Sequence, residues 1–213
     1  MKKVFYILLF AWFGISCTRS GSEVGGEFSA TEYYIQGYLE ADMLTGTVCT
    51  GGLIGLGFSG ELYLPSRGEK GDKFRELSAF YGDTHYNKPT YPGGPNVLCN
   101  EFKKIDIVSD KDFNEIPAGQ SLGNVVQFLA VSVKPFLDSG YTEEFDWSRN
   151  FYPVYGLLSE LRENELKLLE RRSPSLCFLD EPRAFRKHTF TITLEDTTGR
   201  ELSCTVEYDF DAV

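Results

Sequence analysis

Alternation of apolar and polar residues, the pattern of a half-buried β-strand, recurs in several short stretches of this chain. It predicts strands over residues 33–40, 57–64 and 103–109, the last with Ile105 and Ile107 on one face. Such short alternating runs are typical of antiparallel sheets with one face in the core.

The clearest pattern lies near the C-terminus. Residues 188–194 (HTFTITL) and 200–208 (RELSCTVEY) both alternate, and the EDTTG stretch between them contains the turn formers Asp and Gly. The two runs therefore predict a β-hairpin with one shared apolar face. The side chains on that face are Phe190, Ile192, Leu194, Leu202, Cys204 and Val206.

Helical periodicity is weaker than the strand signal. Residues 122–130 carry four apolar side chains at helical spacing after Ser121, a suitable N-cap, and this predicts one helix. A second short helix is predicted over 155–162, followed by a strand over 165–170. The whole pattern indicates a mainly β fold: an antiparallel β-sandwich-like domain with one or two short helices, over residues 31–213.

The N-terminus has a different pattern, in which two lysines precede an apolar run over residues 4–15 that is too short for the roughly 20 residues of a membrane-spanning helix. The run ends at Ser16, directly before Cys17, as in bacterial lipoprotein signals. We therefore expect a signal peptide over 1–16, a lipid anchor on Cys17 that holds the protein to a membrane, and a flexible Ser- and Gly-rich tether over 17–30. The alternative is an ordinary secretory signal without lipidation of Cys17.

The charge balance excludes one class of partner. The chain of 213 residues has 21 Lys and Arg against 31 Asp and Glu, and removal of residues 1–16 would take away two lysines and no acid. A negative protein repels the phosphate backbone, so nucleic acid is not an expected partner. The 42% hydrophobic content is sufficient for a packed core.

Four cysteines follow Cys17, and an even number is able to pair in an oxidising envelope. Cys177 and Cys204 are the pair nearest in sequence, and a buried free thiol at Cys204 is the alternative. No Cys-x-x-Cys motif is present to indicate a zinc or redox site.

No motif indicates an enzyme, a cofactor or a metal site. Residues 55–60 match GxGxxG but precede a strand pattern where a dinucleotide site needs a helix, and residues 109–115 begin like a calcium loop but lack its later ligands. His188 opens a strand and is expected to be structural, whereas His85 forms a nucleophilic pair with Cys99 or Cys49 only if the fold joins them. We therefore expect a protein that is not an enzyme.

Aromatic residues with polar neighbours are the feature that favours binding. Tyr86 and Tyr91 lie in the Pro- and Gly-rich stretch 81–95, and Trp147 lies in a second aromatic stretch over 141–155. Aromatic faces beside hydrogen-bonding groups suit sugar rings and peptides. The candidate ligand-binding residues are therefore Tyr86, Tyr91 and Trp147, and the alternative is that such rings pack the ends of the sandwich core.

Residues 103–130, together with the leader and the C-terminal hairpin, resemble a group of uncharacterised Bacteroidota lipoproteins of unknown function. In that group an Ile-x-Ile-x-Ser strand runs into an Asp-Phe-Asn turn and then a Gly-x-x-Leu segment. The matching positions here are Ile105, Ile107, Ser109, Asp112, Phe113, Asn114, Gly119 and Leu122. The resemblance implies a lipid-anchored protein of the bacterial cell envelope, at the outer membrane, and implies no activity.

These observations predict a cell-envelope lipoprotein that acts as a binding or interaction module for glycan, peptide or envelope-protein partners. The alternatives are a structural component of an envelope assembly and a hydrolase whose residues converge only in three dimensions.

Overall fold

The computed structural model describes residues 30–89, 94–142 and 152–212, and Cys17 lies outside these residues. In chain order the strands are β1 (Ala30–Thr31), β2 (Gly37–Val48), β3 (Ile54–Tyr63), β4 (Lys88–Pro89), β5 (Asn96–Leu98), β6 (Phe102–Ser109), β7 (Val126–Ser132), β8 (Tyr152–Leu157), β9 (Ser175–Phe178), β10 (Lys187–Asp196) and β11 (Glu201–Asp209). The helices are α1 (Glu69–Tyr81) and α2 (Lys134–Asp138), with 3₁₀ turns at Leu158–Glu160 and Glu163–Leu166. Neither described helix has the length and apolar character needed to cross a membrane.

The strands form two main sheets. The large sheet has the order β5-β2-β3-β9-β7-β8 and is antiparallel except for the β2–β5 pair. The small sheet has the order β11-β10-β6 and is wholly antiparallel. A short β1–β4 ladder is separate from both. The predicted fold class, a mainly β, antiparallel sandwich-like domain with one or two helices, is confirmed.

The main core lies between the two sheets. Inward residues of the large sheet such as Ile54, Phe128 and Leu176 join Phe190 and Ile192 of the small sheet in one fully buried cluster. We call the side of the large sheet that faces this core its inner face, and the opposite side its outer face.

The sheets approach each other closely where β2 crosses β11. A Cβ atom at Gly46 would lie 2.3 Å from Cγ2 of Val206, which is closer than two non-bonded carbon atoms can approach each other. Glycine is therefore required at this position by sheet packing.

The predicted C-terminal hairpin is confirmed as β10 and β11. Phe190 pairs with Val206, Ile192 with Cys204, and Leu194 with Leu202, so the six predicted side chains do share one face. Cys204 is only half-buried on that face. The predicted strands over 57–64 and 103–109 correspond to β3 and β6.

The helix predicted over residues 122–130 is wrong. One helical turn is formed, in which the Val126 amide donates to the Leu122 carbonyl at 3.1 Å, and the chain then enters β7. Within β7 buried and half-buried residues alternate, starting from buried Val126. The four apolar residues fit a helical period, but pairing with β8 and β9 on both sides satisfies the β7 backbone and decides the conformation.

The next two predictions are also wrong. Residues 152–157 form β8 and only 158–160 make a 3₁₀ turn, where the pattern predicted a helix over 155–162. The predicted strand over 165–170 is replaced by the second 3₁₀ turn and by single bridges at Leu169 and Glu170.

The longest described helix, α1, was not predicted from the sequence. Its apolar stripe is short: Phe74 is buried, Leu77 and Tyr81 at helical spacing after it are half-buried, and most of the remaining residues of the helix are polar or charged. Its C-terminus is defined by Gly82, which adopts a left-handed conformation at φ 76° and lets the Asp83 amide donate to the Ser78 carbonyl at 2.8 Å.

Candidate functional site

The outer face of the large sheet is covered at one end by an aromatic layer. This tyrosine cluster joins α1, α2 and the start of β2, and no aromatic side chain of the large sheet's inner face contributes to it. Its ring-bearing members are Tyr33, Tyr34, Tyr38, Tyr63, Phe74, Tyr81, Tyr86, Phe136 and Tyr141. The cluster is a second core, separated from the first by the sheet itself.

A buried carboxylate holds the tyrosine cluster together. Asp83 is fully buried and accepts hydrogen bonds from the backbone amides of Tyr34 and Ile35, each at 2.8 Å, and from the Tyr141 hydroxyl at 2.8 Å. Burial raises the pKa of Asp83, although these hydrogen bonds act in the opposite direction. One side chain thus links the residue after the α1 cap, the segment that leads into β2, and the residues after α2.

Tyr86, a predicted ligand-binding residue, belongs to this packed cluster. Its ring lies 5.1 Å from that of Tyr34 and 5.4 Å from that of Tyr141, and the side chain is half-buried. Its geometry therefore serves packing, which was the alternative interpretation of the aromatic stretches. The other two predicted residues, Tyr91 and Trp147, lie outside the described residues.

The rest of the outer face presents a row of side chains to solvent. Cross-strand pairing forms a row of five residues, one on each of the adjacent strands β2, β3, β9, β7 and β8. In that order they are Thr47, Gly55, Ser175, Leu129 and Tyr155. With neighbouring strands about 4.8 Å apart, this row is roughly 19 Å long. All five residues are half-buried or exposed.

This part of the outer face carries no charged side chain among the residues that the structure describes. We call it the uncharged face, and its described residues are Thr45, Thr47, Gly55, Gly57, Gln127, Leu129, Val131, Pro153, Tyr155, Leu157, Ser175 and Cys177. The charges of the same strands lie nearer the tyrosine cluster, at Glu40, Asp42 and Glu61. In a chain with 52 charged residues, 21 basic and 31 acidic, an uncharged face of this size is a distinctive surface.

Tyr155 is the one large aromatic ring exposed on the uncharged face. Its side chain is 62% exposed, and its hydroxyl donates to Oε1 of Gln127 at 2.9 Å. Among the described residues no other aromatic ring packs against it. The hydrogen bond fixes the position of the phenol while its ring face stays open to solvent. Tyr155 lies within the aromatic stretch that the sequence pattern singled out, but that pattern selected Trp147 and gave no reason to prefer Tyr155.

The glycines keep the neighbouring part of this face flat. A Cβ atom at Gly57 would lie 2.5 Å from Oγ1 of Thr45, and one at Gly55 would lie 3.0 Å from Sγ of Cys49. The side chains of Thr45 in β2 and of Cys49 just after it therefore lie close above these two glycines, and Gly55 carries no side chain beside Ser175.

A second surface depression lies on the solvent side of the small sheet. It encloses about 230 Å³ and is lined by Thr191 and Thr193 together with charged residues. Two of its acids already have partners, since Asp106 pairs with Lys104 at 3.2 Å and Glu195 with Lys103 at 2.7 Å. The third lining acid, Glu201, is exposed to solvent.

Among the described residues no hydrogen bond joins His85 to Cys99 or to Cys49, the combinations that would make a nucleophile and its base. His188 is buried, and its Nε2 donates to the Phe185 carbonyl at 2.9 Å, which leaves Nδ1 to accept from the Ser109 hydroxyl at 2.7 Å. His85 is exposed and its Nδ1 lies 2.6 Å from Oγ1 of Thr84. Burial raises the pKa of Cys99 to about 12, so this thiol is not activated as a nucleophile.

Among the described residues the four cysteines are free thiols, and no group of three His, Cys, Asp or Glu side chains is arranged to hold a metal ion. Cys177 lies on the outer face of the large sheet and Cys204 on the core side of the small sheet. The large sheet therefore separates the two residues that the sequence offered as a disulfide pair.

Comparison of the chain with protein-family models, with curated proteins and with solved structures finds no match.

We expect Asp83→Asn to destabilise the fold by about 2–4 kcal/mol, because an amide NH₂ group would face a backbone amide that now donates to a carboxylate oxygen. Urea unfolding followed by tyrosine fluorescence measures the change. The matched control is Asp138→Asn, which removes only an exposed ion pair with Lys134 at 2.7 Å and should cost less than about 0.5 kcal/mol. Equal stability of the two variants would show that Asp83 does not hold the cluster together.

Thiol reactivity should separate Cys49 from Cys99. At about pH 8 the exposed Cys49 should react rapidly with an aromatic disulfide reagent, whereas Cys99, with its pKa raised to about 12 by burial, should react only on unfolding or as the pH approaches 12. Labelling of a Cys17→Ser protein, with Cys49→Ser as the control that removes the fast phase, measures this order. A fast phase lost in Cys99→Ser and kept in Cys49→Ser would contradict it.

Proposed function

We propose that this protein is a cell-envelope lipoprotein whose domain binds a glycan on the uncharged face. The observation that carries the proposal is Tyr155, a tyrosine ring 62% exposed on an uncharged sheet surface with its hydroxyl fixed by Gln127. The face is broad, open and already shaped by strand pairing, so it needs no rearrangement to receive a ligand.

Sugar chemistry fits this surface for two physical reasons. The C–H face of a pyranose packs on an exposed aromatic ring, and its hydroxyl groups are uncharged donors and acceptors that match amide and hydroxyl side chains. Gln127 supplies such a group beside the ring, and Ser175 and Thr47 supply others farther along the row, two and four strands away from Tyr155. A charged ligand would lose hydration here without gaining an ion pair from the face, because none of the side chains described on it is charged.

A peptide that adds a strand to the sheet is a poorer fit. β8 is at the edge of the large sheet, where an extended peptide would pair. Pro153 lies within β8 and has no backbone N–H to offer, a feature of edge strands that resist further pairing. The binding surface is therefore the face of the sheet and not its edge.

The envelope part of the proposal rests on the leader. The basic start, the short apolar run over residues 4–15 and the Ser16–Cys17 junction are the features of a lipoprotein signal. A lipid on Cys17 followed by the tether over 17–30 would hold the domain near a membrane while leaving it free to reorient. A glycan-binding domain held there would concentrate envelope or environmental polysaccharide at the cell surface or in the periplasm.

Lipidation is tested in a bacterial host that processes lipoproteins. We expect a labelled fatty acid to be incorporated into the wild-type protein and not into Cys17→Ser, while Cys49→Ser remains labelled. Fractionation should place the wild-type protein in the membrane and Cys17→Ser in the soluble fraction. Absence of label on the wild-type protein would exclude the lipid anchor without bearing on the binding face.

Glycan binding is tested with the purified domain from residue 30 onward and a panel of neutral oligosaccharides built from glucose, galactose, mannose and xylose. We expect Tyr155→Ala to weaken binding at least about tenfold with little change in stability, because the ring packs on ligand and not on the core. The matched control is Phe80→Ala, which removes a ring that is 72% exposed on α1, away from the uncharged face.

Three results would be decisive in that experiment. Loss of affinity in Tyr155→Ala alone supports the site, and equal affinity of both variants places binding elsewhere. Failure of the wild-type protein to bind any sugar, combined with co-purification of an envelope protein that depends on Tyr155, would favour the structural-component alternative.

A further inference from the structure

The pair formed by Gln127 and Tyr155 also presents a specific hydrogen-bond pattern. We infer that Gln127 is the specificity-determining residue of the uncharged face, and that it selects a neutral sugar with two adjacent free hydroxyl groups. This inference rests on the proposed function, because it concerns the ligand of the same face.

The direction of the hydrogen bond between Tyr155 and Gln127 determines which donors and acceptors the two side chains keep for a ligand. The Tyr155 hydroxyl uses its single proton to donate to Oε1 of Gln127 at 2.9 Å, so the phenol oxygen keeps only lone pairs for a ligand. The Gln127 carboxamide keeps the two N–H donors of its Nε2, and none of the described residues accepts a hydrogen bond from them. A donor and an acceptor are thereby held side by side next to the exposed ring.

This arrangement is complementary to a vicinal diol. One hydroxyl oxygen of the ligand accepts from the Gln127 amide, and the adjacent hydroxyl donates to the phenol oxygen of Tyr155. The neighbouring ring carbons of the sugar then lie over the aromatic ring. A ligand that offers two acceptors, such as a carboxylate, satisfies the amide but places a lone pair against the phenol oxygen.

The immediate surroundings strengthen the discrimination. Gln127 is paired across the strands with Leu157 on β8 and Cys177 on β9, and Tyr155 is paired with Leu129 on β7. These neighbours are half-buried and offer no charged group that would compete for the ligand. Recognition of polar atoms at this point therefore depends on the one amide and the one phenol.

The test compares variants that separate the ring from its hydrogen bonds. Gln127→Glu keeps the side-chain length and an acceptor for the Tyr155 hydroxyl, but it removes both N–H donors. We expect it to weaken binding of the best neutral oligosaccharide of the panel by about tenfold or more. Tyr155→Phe keeps the ring and removes the phenol oxygen, and an intermediate loss of about threefold to tenfold is expected. The matched control is Gln120→Glu, an exposed loop position outside the uncharged face, which should bind like the wild-type protein.

The ligand supplies a second arm. Methylation of the vicinal hydroxyls of the same oligosaccharide should reduce wild-type affinity to that of Gln127→Glu, and it should reduce the affinity of Gln127→Glu little further. Tyr155-dependent binding that is unchanged in Gln127→Glu would overturn this inference and leave the proposed function in place. If the wild-type protein binds no neutral oligosaccharide, the proposed function and this inference fall together. Only variants whose melting temperature matches that of the wild-type protein are compared, since an unfolded variant tests neither the proposed function nor this inference.

Discussion

The structure depends on the difference in size between its two sheets. A six-stranded sheet packs against a three-stranded one, and each strand of the large sheet has two faces that must be covered or made compatible with water. The small sheet covers the inner face and forms the main core with it, at a separation so close that Gly46 has no room for a side chain beneath Val206. Everything on the outer face has to be stabilised by other means.

The two ends of the outer face are stabilised in different ways. At one end α1, α2 and the tyrosine cluster form a second core, which a fully buried carboxylate, Asp83, ties to the backbone at the start of β2. At the other end the face is left open, and its side chains are small, aliphatic or amide-bearing. The first end is a packed interior, so its tyrosines serve stability. The second is a surface, on which Tyr155 is the one exposed tyrosine in the described part of the chain.

Charge is distributed in keeping with this division. Acidic and basic side chains form exposed ion pairs on α1, on the solvent side of the small sheet and around the C-terminus, including Arg186 with Glu181 and Asp211. Such pairs contribute little to stability but keep an acidic protein hydrated. Such pairs are absent from the described residues of the uncharged face, so binding of the proposed glycan there would depend on shape and hydrogen bonding and would be little affected by salt.

The sequence by itself determined the elements whose conformation is decided locally. In the C-terminal hairpin, alternation and turn residues agree, and the predicted face from Phe190 to Val206 is the observed one. The same holds for β3, for β6 and for the mainly β fold class. In a strand with one buried and one solvent-exposed face, apolar and polar residues alternate, so the strand can be recognised from the sequence.

Only the tertiary structure decided the central strands and the site. β7 and β8 have apolar residues on both faces, so the sequence does not alternate clearly between apolar and polar residues and also fits a helical period. Pairing with neighbouring strands, which satisfies the backbone hydrogen bonds, decides that these residues form strands. The helix α1 was not predicted because its apolar stripe, Phe74, Leu77 and Tyr81, is short and lies among charged residues. Tyr86 and Tyr155 look alike in sequence, each an aromatic residue among polar neighbours. Tyr86 packs in the tyrosine cluster, whereas none of the described helices or loops covers the ring of Tyr155, and such coverage is a property of the assembled fold.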